Sequence, residues 1–336
     1  MKKIMAIILV CLMAASMLTA CDGKGGTTTA VDTPVQNAAT NSPAGSSANA
    51  SSNSAGNSPA SPAANSSANA PESSPAQNPA SDFDTSRVIA VFTREEGSGT
   101  RDAFVSITGV GEDMYVEAVV ISETNEILTK VEETDYAISY VSVGSLNPRV
   151  KALSINGVLP SDATILDGSY ALQRPFIVCV NADSAQNALV QDFINFMLSA
   201  EGQEIVATKW TKPEGSAPSY TASGMSGTLK VGGSTSVEPL MQSLRQAYIA
   251  LNPGVEIEIS GGGSGTGISE ATSGVLDIGM SSRALRDAER EALTGFEIAL
   301  DGVAVIVNPV NPITNITIEQ IKDIFTGETT RWNQVG

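Results

Sequence analysis

The stretch "VFTREEGSGTRDAF", Val91–Phe104, runs from a β-branched and aromatic segment, through a loop of charged, glycine and serine residues, into an amphipathic segment. That pattern predicts a strand, a tight loop and a helix. Its core "GSGT" returns far downstream in "EISGGGSGTGIS", Glu258–Ser269, and two further stretches share the layout: "KVGGSTSVEPLM", Lys230–Met241, and "DIGMSSRALRDA", Asp277–Ala288. Strands interleaved with helices in this way make the chain α/β. In an open sheet of that class, ligands bind where strand carboxyl ends meet helix N-termini, so the four loops are expected to converge on one ligand.

The residue types in the loops suit a small anion. A dehydrated oxyanion needs many N–H and O–H donors; glycine lets the backbone come close, and serine or threonine adds a hydroxyl near the helix start. Arg94 adds a planar positive donor able to make two parallel bonds. Taken singly, each loop has a plainer reading. Thr235 and Glu238 match a capping box, "GGGSGTG" matches a surface loop, "SSR" an N-cap, and "REE" a solvated charge cluster whose ion pairs contribute little.

Working outward, the chain has 336 residues, a formal charge of −17 and no histidine. The charge argues against nucleic acid or an anionic membrane surface as partner, but not against a small anion held by backbone amides. Lack of histidine removes the commonest metal ligand and general base, and with it Ser-His-Asp or Cys-His machinery. Neither glycine-rich loop is followed by the lysine of a phosphate-binding P-loop, no serine stands three residues before a lysine, and G-x-S-x-G is absent. No metal, no cofactor and no turnover are expected.

The first 20 residues, "MKKIMAIILVCLMAASMLTA", read as a secretory signal, and "LTAC", Leu18–Cys21, resembles a lipobox in which Cys21 is lipidated. Residues 23–82 are rich in Ser, Ala, Asn and Pro and read as a tether without a core. With Cys11 in the signal and Cys21 carrying lipid, only Cys179 is left, in the apolar run "RPFIVCVN", where packing is its expected role. Order is expected from about Arg87. "VIAVFTR", "YAISYVSVGSL", "VKALSINGV" and "RPFIVCVN" read as strands. "AQNALVQDFINFMLSAEGQEIVATKW" places Leu189, Val190, Phe193, Ile194 and Met197 at helical spacing. Residues 210–227 read as an internal linker. "TIEQIKDIFTG" carries a capping box at Thr317 and Gln320 and a stop at Gly327.

Together, "GSTSVEPLM", "SGGGSGTGI", "DIGMSSR" and "REEGSGTRDAF", with "DIFTGETTRWNQVG", "YAISYVSVGSL" and "QDFINFMLSAEGQ", resemble the phosphate-binding lipoproteins of phosphate ABC importers, over nearly all the chain from Arg87 onward. The resemblance implies a two-lobed α/β fold of the type II periplasmic-binding-protein class: two Rossmann-like mixed-sheet lobes with a hinge. It also shows a rotated order: Val88 to about Pro213 resembles the family's second half, and Thr228–Gly336 its first. The chain therefore reads as circularly permuted rather than as a truncated tandem, with 210–227 joining the family's natural ends. One lobe would combine 87–174 with 310–336, the other 175–209 with 228–309, with "VAVIVNP" and "RPFIVCV" as strands crossing between them, after a signal at 1–20 and a lipid-anchored linker at 21–86.

Carried over by position, the resemblance implies phosphate binding by Thr235, Ser236, Ser264 and Ser282 from one lobe and by Arg94, Ser98, Gly99 and Thr100 from the other. Glu96 would orient Arg94, and Arg101 and Arg283 are supporting positions. Well-known members carry an aspartate where this chain has Ser282, which leaves the acceptor of the phosphate proton unassigned and Glu96 as its candidate. The implied protein is an extracytoplasmic, monomeric phosphate receptor, held at the membrane through its lipid alone and partnered by an ABC permease. The alternative is an oxyanion sensor or surface interaction protein without a transporter.

Overall fold

The computed structural model describes residues 83–335. The expected signal segment, Cys21 and the tether to residue 82 lie outside the described residues. Packing starts earlier than the expected Arg87, because the Phe83 ring sits 4.9 Å from that of Tyr136 and 6.1 Å from that of Trp332.

In chain order the first half holds β1 (Ala90–Arg94), α1 (Gly99–Thr108), β2 (Val119–Ile121), α2 (Thr124–Glu133), β3 (Ala137–Ser142), the short β4 (Lys151–Ala152) and β5 (Ser154–Ile155), α3 (Asp162–Leu166) and β6 (Gln173–Val180). Then come α4 (Ala188–Met197), α5 (Ala200–Val206), β7 (Ser226–Gly233), α6 (Glu238–Leu251), β8 (Gly254–Gly261), α7 (Ser264–Thr272) and β9 (Ile278–Ser281). The series closes with α8 (Asp287–Arg290), β10 (Thr294–Val307), β11 (Asn315–Ile316) and α9 (Ile318–Thr326).

The strands line up as β2-β1-β3-β10-β6-β9-β7-β8. At one end β1 pairs in parallel with β2 and β3; at the other, β7 pairs in parallel with β8 and β9. The two ends have the same plan, a central strand flanked by the next two in sequence, and antiparallel β10 and β6 join them. Each parallel trio is the Rossmann-like half of a two-lobed α/β fold.

The two largest apolar clusters match this division. Phe193, Phe196, Tyr248, Leu229 and Ile278 are in one buried cluster, and Phe104, Tyr140, Tyr170, Phe325 and Trp332 are in another. β10 belongs to both: Thr294–Gly302 pairs with β6, while Val303–Val307 pairs with β3 and packs with the second cluster. The two stretches expected to cross between the lobes, "VAVIVNP" and "RPFIVCV", fall on the second half of β10 and on β6, the antiparallel pair that joins the two trios. At that crossing Arg174 and Asp301, both almost fully buried, pair through Nε and Nη2 at 3.0 and 2.9 Å, and Asp301 also accepts from Ser142 Oγ at 2.9 Å.

Local rules decided several ends. Thr317 and Gln320 form the expected capping box, and Gly327 stops α9 in the left-handed conformation. The single helix expected over 185–210 is two, because Ser199 caps a second start by accepting from Gly202 N–H at 3.2 Å. "VKALSINGV" breaks into β4 and β5 and then turns, since Asn156 and Gly157 both take positive φ, 51° and 82°. Residues 212–225 hold no helix or strand, as expected of the linker. They are nonetheless pinned: Ala200 N–H donates to Pro218 O, and Tyr220 and Ser223 hydroxyls both donate to Asp192 at 2.7 Å. Cys179 is fully buried in β6, and burial pushes its thiol up to about 12, which suits a packing role.

Candidate anion-binding site

Parallel strands in both trios end on the same cleft. β1 delivers Arg94, then Gly97 turns in the left-handed region, and Ser98 caps α1 by accepting from Arg101 N–H at 3.4 Å. β7 delivers Ser234–Val237 ahead of α6. β8 delivers Gly262 and Gly263, both at positive φ, and α7 then starts at Ser264 with no side chain capping its first amides. β9 delivers Ser281–Arg283. Helix starts with unclaimed N–H groups are natural anion seats.

The loops of opposite lobes touch. Thr100 Oγ1 and Ser236 Oγ share a hydrogen bond at 2.8 Å, Gly265 N–H donates to Gly97 O at 2.9 Å, and Arg94 Nη2 donates to Thr235 Oγ1 at 3.0 Å. Within one lobe, Ser264 Oγ accepts from Ser282 N–H at 3.0 Å and lies 3.4 Å from Ser282 Oγ. Gly99 allows no side chain, since a Cβ there would stand 2.2 Å from Ser264 Oγ and 2.7 Å from Ser282 Oγ. The eight expected binding positions are thus brought together, and each is buried.

Three expectations need correction. Glu96 does not orient Arg94: its side chain is 94% exposed and its nearest ion partner is Arg101, at 3.9 Å. Glu95 does, accepting from Arg94 Nε and Nη2 at 2.9 Å each. The loop turns at Gly97, which sends the first glutamate inward and the second to solvent. Nor does the capping box of Thr235 and Glu238 form. Ser234 Oγ takes the amides of Ser236 and Val237, so Thr235 is free to face Arg94. Arg283 is turned away from the hydroxyl cluster, into ion pairs with Asp102 and Glu289.

Sequence reasoning missed the loop after β2. Ser122 O accepts from Arg94 Nη2 at 2.7 Å and Thr124 Oγ1 from Nη1 at 3.3 Å, so three segments hold the guanidinium. "VVISETNE" has the same strand, hydroxyl and helix layout as the other four loops, and that was its signal. Tyr140 was also missed. Its hydroxyl accepts from Arg94 N–H at 3.2 Å and lies 2.8 Å from Thr93 Oγ1, and its ring stacks on Phe104 of α1 with centroids 3.9 Å apart. Burial pushes its phenol up, so it stays protonated.

The arrangement can neutralise and desolvate a small oxyanion: one buried guanidinium, several hydroxyls and helix-start amides, and one carboxylate already satisfied by the guanidinium. Among the described residues no cluster of acidic or sulfur side chains is placed to hold a metal ion. Two like lobes joined by crossing strands, with donors from both facing a shared cleft, define a substrate-binding protein of the type II periplasmic class.

The chain belongs to the PBP superfamily, whose domain model matches residues 77–201 and 217–336, and within it to the PstS-type phosphate-binding proteins. It is 41% identical over 265 residues to phosphate-binding protein PstS 2 of Streptococcus pneumoniae serotype 4, covering 76% of this chain and 90% of that one. A crystal structure of a phosphate ABC transporter phosphate-binding protein from S. pneumoniae TIGR4 matches with TM-score 0.63 and 40% identity, over 74% of this chain and all of that one. Phosphate-binding protein PstS of Bacillus subtilis is 33% identical over 114 residues, a third of this chain and 38% of the relative.

Proposed function

We propose that this chain captures inorganic phosphate between its lobes, outside the cytoplasm, and delivers it to the permease of an ABC importer. The observation that carries this reading is the buried convergence of Arg94, six side-chain hydroxyls and two helix starts from opposite lobes. Arg94 supplies the charge, and Glu95, Ser122 and Thr124 hold it in place. Ser98, Gly99 and Thr100 from α1, with Thr235, Ser236, Ser264 and Ser282 from the other lobe, supply hydroxyl and amide donors. Micromolar capture requires about 8 kcal/mol, and hydrogen bonds to a charged group contribute roughly 1.5–3 kcal/mol each, so this donor set suffices after the cost of closure.

The protein acts as a receptor rather than an enzyme and works as a monomer, since one chain carries both walls of the site. Lipid on Cys21 tethers it, a reading that rests on "LTAC" after the apolar signal. The chain order is rotated relative to part of the family. In support, Thr85–Ile89 lies hydrogen-bonded beside Thr330–Asn333, and the B. subtilis relative matches over only a third of the chain whereas the streptococcal one matches along most of its length. Isothermal titration with phosphate and with sulfate tests the function: phosphate is expected to bind more tightly, and equal affinity would sink the phosphate assignment.

A further inference from the structure

Asp102 stands one turn into α1, two residues past Thr100, on the helix whose start faces the cleft. Its Oδ2 accepts from Arg283 Nε and from Arg286 Nη2, both at 2.9 Å, and both arginines belong to the segment after β9 in the other lobe. Arg286 is 66% exposed, so its pairing is screened and weak. Arg283 differs: its side chain is 9% exposed, Nη1 and Nη2 bond both oxygens of Glu289 at 2.7 and 2.8 Å, and Nη1 also bonds Ala284 O at 2.9 Å. Glu289 thus holds the guanidinium so that its Nε faces the opposite lobe.

We infer that Asp102 is a positioning residue for lobe closure: with Arg283 and Glu289 it forms an ionic latch that sets how fast captured phosphate leaves. The inference rests on the phosphate reading above. The side chains around the site are nearly all under 10% exposed and the two walls already touch, so an anion seated there leaves only when the lobes part. Parting breaks the neutral contacts Thr100–Ser236 and Gly97–Gly265, the Arg94–Thr235 bond and the Asp102 pairs. Among the described residues, apart from the pair at the crossing strands, Asp102 makes the salt bridges that join the lobes. A pair this buried is screened less than a surface pair, and an interaction present only in the closed form acts on release more than on capture.

Stopped-flow measurement of phosphate release from wild type, Asp102→Asn, Arg283→Gln and the double variant tests this. Asp102→Asn is expected to speed release roughly tenfold with little change in the association rate, and the double variant to be no faster than the faster single one. Asp102→Glu should recover part of the effect, and rising salt should speed release from wild type more than from Asp102→Asn. Thermal unfolding of the ligand-free chain separates a latch from a plain structural role: the midpoint of Asp102→Asn should match wild type. Unchanged release, or a fall in that midpoint matching the loss of binding, overturns the latch. If wild type shows no phosphate binding, the functional reading fails on its own. Interlobe distances between two attached labels in the ligand-free chain then decide the latch: a wider distribution in Asp102→Asn supports it, an identical one refutes it.

Discussion

Arg94 shows how much of a buried arginine's behaviour is set by the groups around it. Its guanidinium is 2% exposed, bonded on two nitrogens to Glu95 and pinned by Ser122, Thr124 and Thr235. A buried charge that is paired and fully bonded keeps one orientation, so it presents its field to an anion without reorganising. Arg94→Ala should weaken phosphate binding by about a hundredfold or more, since the cleft loses its buried cation and Glu95 is left there as a carboxylate without its partner. Arg94→Lys should recover only part of that, because an ammonium keeps the charge but loses the planar fork. Titration calorimetry of both variants checks the prediction, and equal affinities for wild type and Arg94→Ala would remove Arg94 from the site. Glu95 and Glu96 were indistinguishable by composition; which one turns inward depended on the left-handed turn at Gly97.

At the scale of elements, strand ends and helix starts do the positioning. β1 stops where Tyr140 of β3 meets its last amide, and the Tyr140 ring stacks on α1, so one side chain fixes the relation of strand, loop and helix. Tyr140→Phe keeps the stacking but leaves Arg94 N–H and Thr93 Oγ1 without that partner in a buried place. The expected cost is about 1–3 kcal/mol of stability, with phosphate affinity several-fold weaker. Chemical denaturation and a phosphate titration read the two effects separately, and a variant indistinguishable from wild type in both would refute this role for the hydroxyl. Where sequence rules were local, they held: the caps of α9, the buried face of α4 and the irregular linker. They failed where a local pattern had a competitor, as when Ser234 took the amides that a Thr235 capping box would have used.

For the whole molecule, the rotated-order reading requires that the order in which the chain visits the two lobes be separable from the lobes themselves. The segments 85–89 and 330–333 are already joined by hydrogen bonds, and Glu214 and Gly215 lie exposed in the linker. A chain opened between Glu214 and Gly215, with Val335 joined to Phe83 through a few glycines, should therefore fold as a monomer and bind phosphate about as tightly as the parent. Failure of that chain to fold, or folding without binding, would contradict the rotated-order reading. By itself the sequence determined the α/β class and the donor-rich loops, because these follow from periodicity and residue type within a few positions, while the ligand followed from the resemblance of those loops to the phosphate-binding family. Only the tertiary structure decided that Thr100 meets Ser236, that Arg94 meets Thr235, and that Arg283 pairs with Asp102. Those partners lie 136, 141 and 181 residues apart in the chain for the three contacts. No local spacing encodes a contact of that separation; it exists because two independent cores fix the two walls and the crossing strands bring them face to face.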